Sequence, residues 1–161
     1  MAVRKVDVKV ETLTPELFAE IVPLGQKCWN ESTENKGETC AYYGDRDFDI
    51  QPDYSVYERA RDNNILVIQT MRHNGSLVGY GVGFLYNSWH HKNILCANID
   101  SVYVEPDFRN YAPSFLKKYE KVYKELGVQI VGWPTHINGP IFKLLTAMGY
   151  VGDDIVMEKR L

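Results

Sequence analysis

The strongest constraint on the fold is a run of alternating glycines in the strand-like segment LVGYGVGFLY, residues 77–86. Every second position on one face of that strand carries a large apolar side chain: Val78, Tyr80, Val82 and Phe84. The glycines Gly79, Gly81 and Gly83 share the other face, where missing side chains allow a helix to approach closely or the sheet to bend. The segment ILVIQTMR precedes it, and Asn74-Gly75 between them is a typical hairpin turn. The sequence therefore predicts an antiparallel hairpin.

The remaining elements follow from periodicity and capping residues. Residues 6–10 alternate like a strand, Thr14 and Pro15 begin a helix that Pro23 is expected to kink or divide, and residues 30–53 read as a polar, irregular loop. The order continues with a short helix to residue 62, the hairpin and a strand before residue 105. It ends with a helix over 115–126, a strand at 128–133, a helix with Asn138 as N-cap and a strand over 154–159. This is an α/β chain with a mixed sheet, in one domain over residues 1–161. It lacks the regular alternation of a doubly wound fold.

The overall charge argues against nucleic acid as a partner. The net charge is −3 and the pI is near 5.8, so no general basic field exists to neutralise phosphates. The start of the sequence lacks the apolar region of a signal peptide, and no apolar run is long enough to cross a bilayer. Three cysteines without CxxC spacing indicate reduced thiols, although a nucleophilic cysteine stays open. We therefore expect a cytoplasmic protein that does not bind membranes.

The segment VEPDFRNYAPSF, residues 104–115, reads as a strand end, a turn and a helix start. The first N–H groups of a helix lack internal partners and the helix dipole favours an anion there, so such a junction can hold phosphate. Glycine is usual in a phosphate turn, but here Ala112, Pro113 and Ser114 follow Tyr111. Pro113 has no N–H, whereas Ser114 adds a hydroxyl and Arg109 adds a positive charge. An ordinary helix start explains the same residues.

The element order and two motifs resemble the GNAT superfamily of acyl-CoA-dependent N-acetyltransferases. VYVEPDFR matches the pattern V-x-P-x-[YF]-[RQ] that ends a strand in that family, and NGPIFKLLTAMGY resembles a helix that ends in a Gly-aromatic pair, here Gly149-Tyr150. The compact chain also resembles small GNAT-like proteins encoded by tailed bacteriophages. The resemblance implies a mixed, mostly antiparallel central sheet with about four helices. It also implies acetyl transfer from acetyl-CoA to an amine.

The resemblance further implies which residues bind the cofactor. In the family the strand that ends at the motif pairs its backbone with the pantetheine arm, and the turn [RQ]-x-x-G-x-[GA] holds the diphosphate. Carried over by position, the cofactor-binding residues are Val102, Val104, Arg109, Asn110, Ala112, Ser114 and Asn138. Ala112 stands where glycine is usual, which leaves less backbone freedom. Acetyl-CoA is thus the expected co-substrate. No metal is expected, because the adjacent His90 and His91 cannot easily face one ion.

Acetylation of an amine needs a base, for which the sequence offers Asp100 on the central strand and His136 after the strand at 128–133. Each has a plainer interpretation: Asp100 as a hydrogen-bonded acid or strand-edge charge, and His136 as an exposed loop residue. In many GNAT enzymes a tyrosine four residues before the glycine of the Gly-aromatic pair protonates the leaving thiolate. That position is Leu145, so the usual acid is absent.

The loop at 30–53 carries seven acids against Lys36 and Arg46, and would attract a cationic acceptor such as a lysine side chain, a protein N-terminus or a polyamine. Tyr42 and Tyr43 could add cation–π contacts, and Trp133 could shape the acceptor slot or simply pack in the core. A solvated loop is the alternative. A GNAT-like protein that has lost catalysis and binds a host protein is the competing function, and a homodimer stays open.

Overall fold

The computed structural model describes residues 5–34, 50–135 and 139–152, with the side chains of 32–34 excepted. The elements in these ranges are β1 Asp7–Val10, α1 Pro15–Glu34, α2 Tyr54–Asp62, β2 Leu66–His73, β3 Ser76–Asn87, β4 Leu95–Val104, a 3₁₀ helix Pro106–Tyr111, α3 Ala112–Glu125, β5 Ile130–Gly132 and α4 Pro140–Ala147. The strands form one sheet in the order β1-β2-β3-β4-β5. Neighbours are antiparallel except β4 and β5, which are parallel. The predicted mixed, mostly antiparallel α/β architecture is confirmed.

The glycine face of β3 receives α3, as the alternating pattern predicts. A Cβ on Gly81 would lie 2.8 Å from the ring of Tyr119, and one on Gly83 would lie 2.2 Å from the hydroxyl of Tyr123. Both tyrosines are almost fully buried. Only glycine at these positions lets the helix lie this close to the sheet.

The other face of the sheet is covered by α1 and α2. Apolar residues of the α1 region and of strands β2, β3 and β4 form one core cluster: Leu13, Leu17, Ile21, Leu24, Ile68, Tyr80, Val82 and Tyr103. Helices α3 and α4 build the remaining core on the glycine face. The sheet is therefore the middle of three layers, and apolar core residues pack on both of its faces.

Helix α1 corrects two sequence predictions. It runs unbroken through Pro23 to Glu34, so the division at the proline and the irregular state of residues 30–34 are wrong. The apolar stripe continues on both sides of Pro23, with Ile21 and Leu24 buried against the sheet, and this packing outweighs the one hydrogen bond that proline removes. Residues 35–49, with Cys40, Tyr42 and Tyr43, lie outside the described residues.

Helix α4 corrects a third sequence prediction, the identity of its N-cap. Its N-cap is Gly139, with φ −65° and ψ 164°, and Pro140 follows at the first helical position. Because proline occupies that position, the residue directly before it must be the extended cap, which excludes Asn138 from this role. Gly149 follows the helix with φ +94°, as the sequence predicts. The strand predicted over 154–159 lies outside the described residues.

None of the helices in the described ranges is long and apolar enough to cross a membrane.

Candidate active site

The sheet opens between β4 and β5. The two strands pair only through Cys96 with Ile130, Ala97 with Val131 and Asn98 with Gly132. Within the described ranges no strand lies beside β4 on this side from residue 99 to residue 104. The far edge of β4 therefore faces a gap, and the predicted base and both predicted pantetheine-binding residues lie along it.

The backbone of Val102 and Val104 points into this gap. Glu105 donates its N–H to the carbonyl of Val78 at 2.9 Å, which makes residues 78 and 105 a hydrogen-bonded pair. Opposed residues of an antiparallel pair alternate between bonded and non-bonded types. The pairs 79/104 and 81/102 are therefore non-bonded, and the N–H and C=O groups of Val102 and Val104 face away from β3. This edge can accept an extended, amide-containing chain.

Two side chains already contact the carbonyls on this edge. The thiol of Cys28, on α1, lies 3.5 Å from the Val102 oxygen, and Nε of Arg109 donates to the Val104 oxygen at 3.1 Å. Both contacts come from the gap side, in agreement with the alternation. The gap is thus bordered by α1 on one side and by the 3₁₀ helix at its end.

Asp100 is the extra residue of a β-bulge in β4. Val82 pairs with Ser101 and Gly83 pairs with Ile99, which leaves Asp100 without an opposed residue. A bulge bends the strand and redirects its side chain, a geometry that is frequent next to active sites. Periodicity does not reveal the bulge, because a single inserted residue does not interrupt the strand.

The carboxylate of Asp100 stays accessible to solvent, yet the protein around it removes part of its hydration and raises its pKa. Burial first, and the charge of Asp100 second, raise the pKa of Tyr57 on α2. The same charge contributes to the raised pKa values of Tyr80 and Tyr119, again after burial. An ionised Asp100 among tyrosines, with a pKa moved toward neutrality, is suited to accept a proton.

The aromatic surroundings of Tyr57 escaped the sequence analysis. Its ring lies 5.6 Å from that of Phe18 and 6.0 Å from that of Phe84, centroid to centroid. Nearby, the hydroxyls of Tyr80 and Ser101 are 2.6 Å apart. No sequence motif marks these residues, because α1, α2, β3 and β4 come together only in the fold.

The expected phosphate turn is a 3₁₀ helix that runs directly into α3. The N–H of Phe108 donates to Glu105 at 2.8 Å, and that of Ala112 donates to the carbonyl of Arg109. Pro113 has no N–H, and the hydroxyl of Ser114 donates to the Tyr111 carbonyl at 2.9 Å. Several donors that an open turn would direct at phosphate are thus bound internally. Asn110 lies within this 3₁₀ helix and is exposed.

Arg109 is held by an acid that the sequence analysis did not single out. One carboxylate oxygen of Glu31, on α1, accepts from Nη2 of Arg109 at 2.5 Å, and the other accepts from the Tyr103 hydroxyl at 2.9 Å. The Arg109 guanidinium also lies 5.7 Å from the centroid of the Tyr103 ring. Burial first, then the hydrogen bond to Glu31, raises the pKa of Tyr103. A second pair, Lys27 with Glu105 at 2.5 Å, connects α1 to the residue directly before the 3₁₀ helix.

The position of the usual acid is apolar in structure as well as in sequence. Leu145 is 3% exposed and packs in the cluster that contains Phe115 and Leu116. Trp133 packs between the rings of Tyr119 and Tyr150, at 6.3 and 6.2 Å, so it belongs to the core at this end of β5. Burial raises the pKa of Tyr150 to about 12.

His136 and Asn138 lie outside the described residues, so their predicted roles stay predictions. The backbone N–H groups of His90 and His91 donate to the Ser88 hydroxyl at 3.4 and 3.2 Å, as expected for turn residues. Across residues 5–34, 50–135 and 139–152 no group of three or more His, Cys, Asp or Glu side chains could hold a metal ion.

No protein-family model matches the sequence, and no curated protein matches it. Solved structures do match. An aminoglycoside acetyltransferase from an uncultured soil metagenomic sample, in complex with sisomicin, aligns over 96% of this chain and 95% of its own at 13% identity and a TM-score of 0.66. The ribosomal-protein-alanine N-acetyltransferase of Brucella melitensis biovar Abortus 2308 aligns over 98% of this chain and 99% of its own, at 15% identity and a TM-score of 0.62. AAC(6')-Iy, in complex with the bisubstrate analog CoA-S-monomethyl-acetylneamine, aligns over 96% of this chain and 98% of its own, at 13% identity and a TM-score of 0.62. At these identities the likeness shows a shared fold.

Proposed function

We propose that this chain, which has the fold of the GNAT N-acetyltransferases, transfers an acetyl group from acetyl-CoA to an amine. The observation that carries the proposal is the open edge of β4. There the bulged Asp100 lies two residues before Val102, whose N–H and C=O face the gap. An edge for the pantetheine arm and a carboxylate with a raised pKa meet on one strand.

The residues present fit acetyl-CoA along its length, but unevenly. Val102 and Val104 offer backbone donors and acceptors to the two amides of pantetheine. At the other end Arg109, the N-terminal end of α3 and the hydroxyl of Ser114 are the groups for the diphosphate, with Asn110, Ala112 and Asn138 as further proposed contacts. The bound cofactor supplies a thioester, and we propose no metal in the reaction.

Asp100 is the proposed base. It accepts the proton of the acceptor ammonium, directly or through a water molecule, so that the neutral amine attacks the thioester carbonyl. His136 is the second proposed base. The nitrogen loses a second proton, to solvent, as the amide forms. Because Leu145 offers no proton at the usual position, the departing thiolate takes up one proton from solvent or from another group.

The proposed acceptor is a cationic amine: a lysine side chain, a protein N-terminus or a small polyamine. Asp100 places a carboxylate at the gap, and a carboxylate there would attract a positive charge. Two structural neighbours illustrate the range within the fold, since one is named for aminoglycosides and another for a ribosomal-protein alanine.

A second candidate is a GNAT-fold protein that binds a partner without catalysis. The observation that favours it concerns the turn where the diphosphate is expected. There Ala112, Ser114 and Arg109 all have hydrogen-bond partners within the protein. Such a protein would keep the sheet and the gap while binding acetyl-CoA poorly.

Calorimetry with acetyl-CoA separates the two candidates first. The enzyme requires binding with a dissociation constant below about 1 mM, since typical KM values lie between micromolar and millimolar. A bacterial lysate incubated with the protein and acetyl-CoA should then gain acetylated amines, detected by mass spectrometry. The Asp100→Asn variant should bind acetyl-CoA but acetylate these amines far more slowly. Absence of acetyl-CoA binding, together with a stable unacetylated partner in a pull-down, would instead establish the second candidate.

A further inference from the structure

The carboxylate of Glu31 stands where an anion bound to Arg109 would compete with it. It bonds the outer nitrogen Nη2 of the guanidinium at 2.5 Å, while Nε is bound to the Val104 carbonyl at 3.1 Å. A guanidinium binds phosphate best as a bidentate fork of two parallel N–H groups. Nε and Nη2 form one of the two forks of the guanidinium, and the protein engages both of its nitrogens, while the carboxylate compensates the positive charge that a phosphate would meet.

Glu31 is itself positioned for a change of partner. Its second oxygen accepts a hydrogen bond from Tyr103 at 2.9 Å, so the carboxylate keeps one strong partner when Arg109 leaves. The Glu31–Arg109 pair is about half exposed on both sides, at 42% and 48%. Pairs at this exposure contribute little to stability, so exchanging one acid for another at Arg109 costs little free energy.

We propose that Glu31 is a positioning residue that competes with the cofactor diphosphate for Arg109. The inference rests on the proposed function. In the free protein Glu31 holds Arg109 against the end of β4. On cofactor binding the guanidinium exchanges the carboxylate for the diphosphate, and Glu31 stays with Tyr103. Glu31 therefore lowers the affinity for acetyl-CoA, because it occupies the guanidinium nitrogen of Arg109 that the diphosphate would bind.

The test is calorimetry on Glu31→Gln with CoA and, separately, with inorganic pyrophosphate. The amide still hydrogen-bonds Tyr103 but releases the charge of Arg109, so we expect CoA to bind roughly threefold to tenfold tighter. Glu105→Gln is the matched control, because it removes a carboxylate at the same end of β4 that pairs with Lys27 and not with Arg109. It should change the affinity by less than about twofold. Glu31→Asp, which keeps the charge but shortens its reach, should fall between wild type and Glu31→Gln. Thermal unfolding checks that each variant is folded.

An unchanged or weaker affinity in Glu31→Gln would overturn the proposal, as would equal tightening in Glu105→Gln, which would indicate general electrostatics. The two ligands keep this failure distinct from failure of the proposed function. If wild type and Glu31→Gln bind CoA equally, the cofactor site stands and the competition is wrong. If only Glu31→Gln binds pyrophosphate and neither binds CoA, the competition stands and the acetyl-CoA function fails. If neither protein binds either ligand, both are wrong.

Discussion

Single residues determine the chemistry of this site through their place in the strand rather than through their type alone. Asp100 is one of many acids in the chain, but it is the one that occupies the bulge of β4, and the surrounding protein raises its pKa. A carboxylate whose pKa is raised holds a proton more readily, so it is a stronger base once ionised.

Replacing Asp100 with Asn removes the proposed base. We expect kcat to fall roughly 100-fold, because a positioned base typically contributes 10²–10⁴-fold, while the affinity for acetyl-CoA changes little. The wild-type rate should fall as pH drops through the raised pKa of Asp100, since protonation inactivates the base, and the variant should lack this decline. Steady-state rates against pH measure both effects, with Asp62→Asn on α2 as a control. A variant that keeps the wild-type rate would exclude Asp100 as the base.

Gly83 tests the close approach of α3 at the scale of one methyl group. A Cβ there would lie 2.2 Å from the Tyr123 hydroxyl, so Gly83→Ala should lower the free energy of unfolding by about 1–3 kcal/mol. Adding Tyr123→Phe removes the clashing hydroxyl and should restore part of the loss. Urea unfolding of the two single variants and the double variant gives the coupling energy. Independent, additive losses would show that the hydroxyl is not what Gly83 accommodates.

At the scale of elements, Arg72 joins β1, β2 and α1. Its guanidinium binds Glu11 at 2.8 Å and Glu20 at 2.5 Å, and the Thr70 hydroxyl donates to Glu11 at 2.6 Å. Burial alone would raise the pKa of Glu11, but the bonds from Arg72 and Thr70 lower it overall. The bond from Arg72 likewise lowers the pKa of Glu20. The edge strand is thereby attached to the helix that borders the site.

Replacing Arg72 with Met should cost about 1–3 kcal/mol of unfolding free energy at pH 7, because it breaks charged hydrogen bonds of an arginine side chain that is only 16% exposed. Lowered carboxyl pKa values contribute stability above the ordinary pKa of Glu, and this contribution is lost as pH falls through the folded values. The difference between wild type and variant should therefore shrink below about pH 4.

Lys121→Met is the matched control for Arg72→Met, since its pair with Glu125 is exposed and longer, at 3.6 Å. Its loss should stay below about 0.5 kcal/mol. Guanidinium chloride is a salt and would screen the ion pairs, so urea is the denaturant for both variants. A difference between wild type and Arg72→Met that persists unchanged at pH 3 would contradict an ionic origin.

At the scale of the whole molecule, the sequence predicts what local signals encode. Asn74-Gly75 marks the hairpin, the glycines of β3 mark the approach of α3, and the strand and helix around VEPDFRNYAPSF are confirmed. Each of these features can be predicted from residues that are adjacent in the sequence or that share one face of a single strand. The order of elements then limits the sheet to a mixed, mostly antiparallel arrangement.

The rest depends on contacts between distant segments. Glu31 and Arg109 are 78 positions apart, and nothing local in either segment indicates the pair. The 3₁₀ form of the turn also escaped prediction, because the same residues are compatible with an open loop or a tight helix. Helix α1 extends beyond residue 30, where the polar sequence reads as a loop, and Glu31 in this extension bonds the distant Tyr103 and Arg109.

Amide hydrogen exchange at Val102 and Val104 would show whether the open edge of β4 receives the cofactor, as we propose. Their N–H groups face the gap, whereas that of Tyr103 faces β3 in the alternation of the strand pair. Saturating acetyl-CoA should slow exchange at Val102 and Val104 and change Tyr103 little. Binding of acetyl-CoA that leaves exchange at Val102 and Val104 unaltered would show that the cofactor does not pair with this edge.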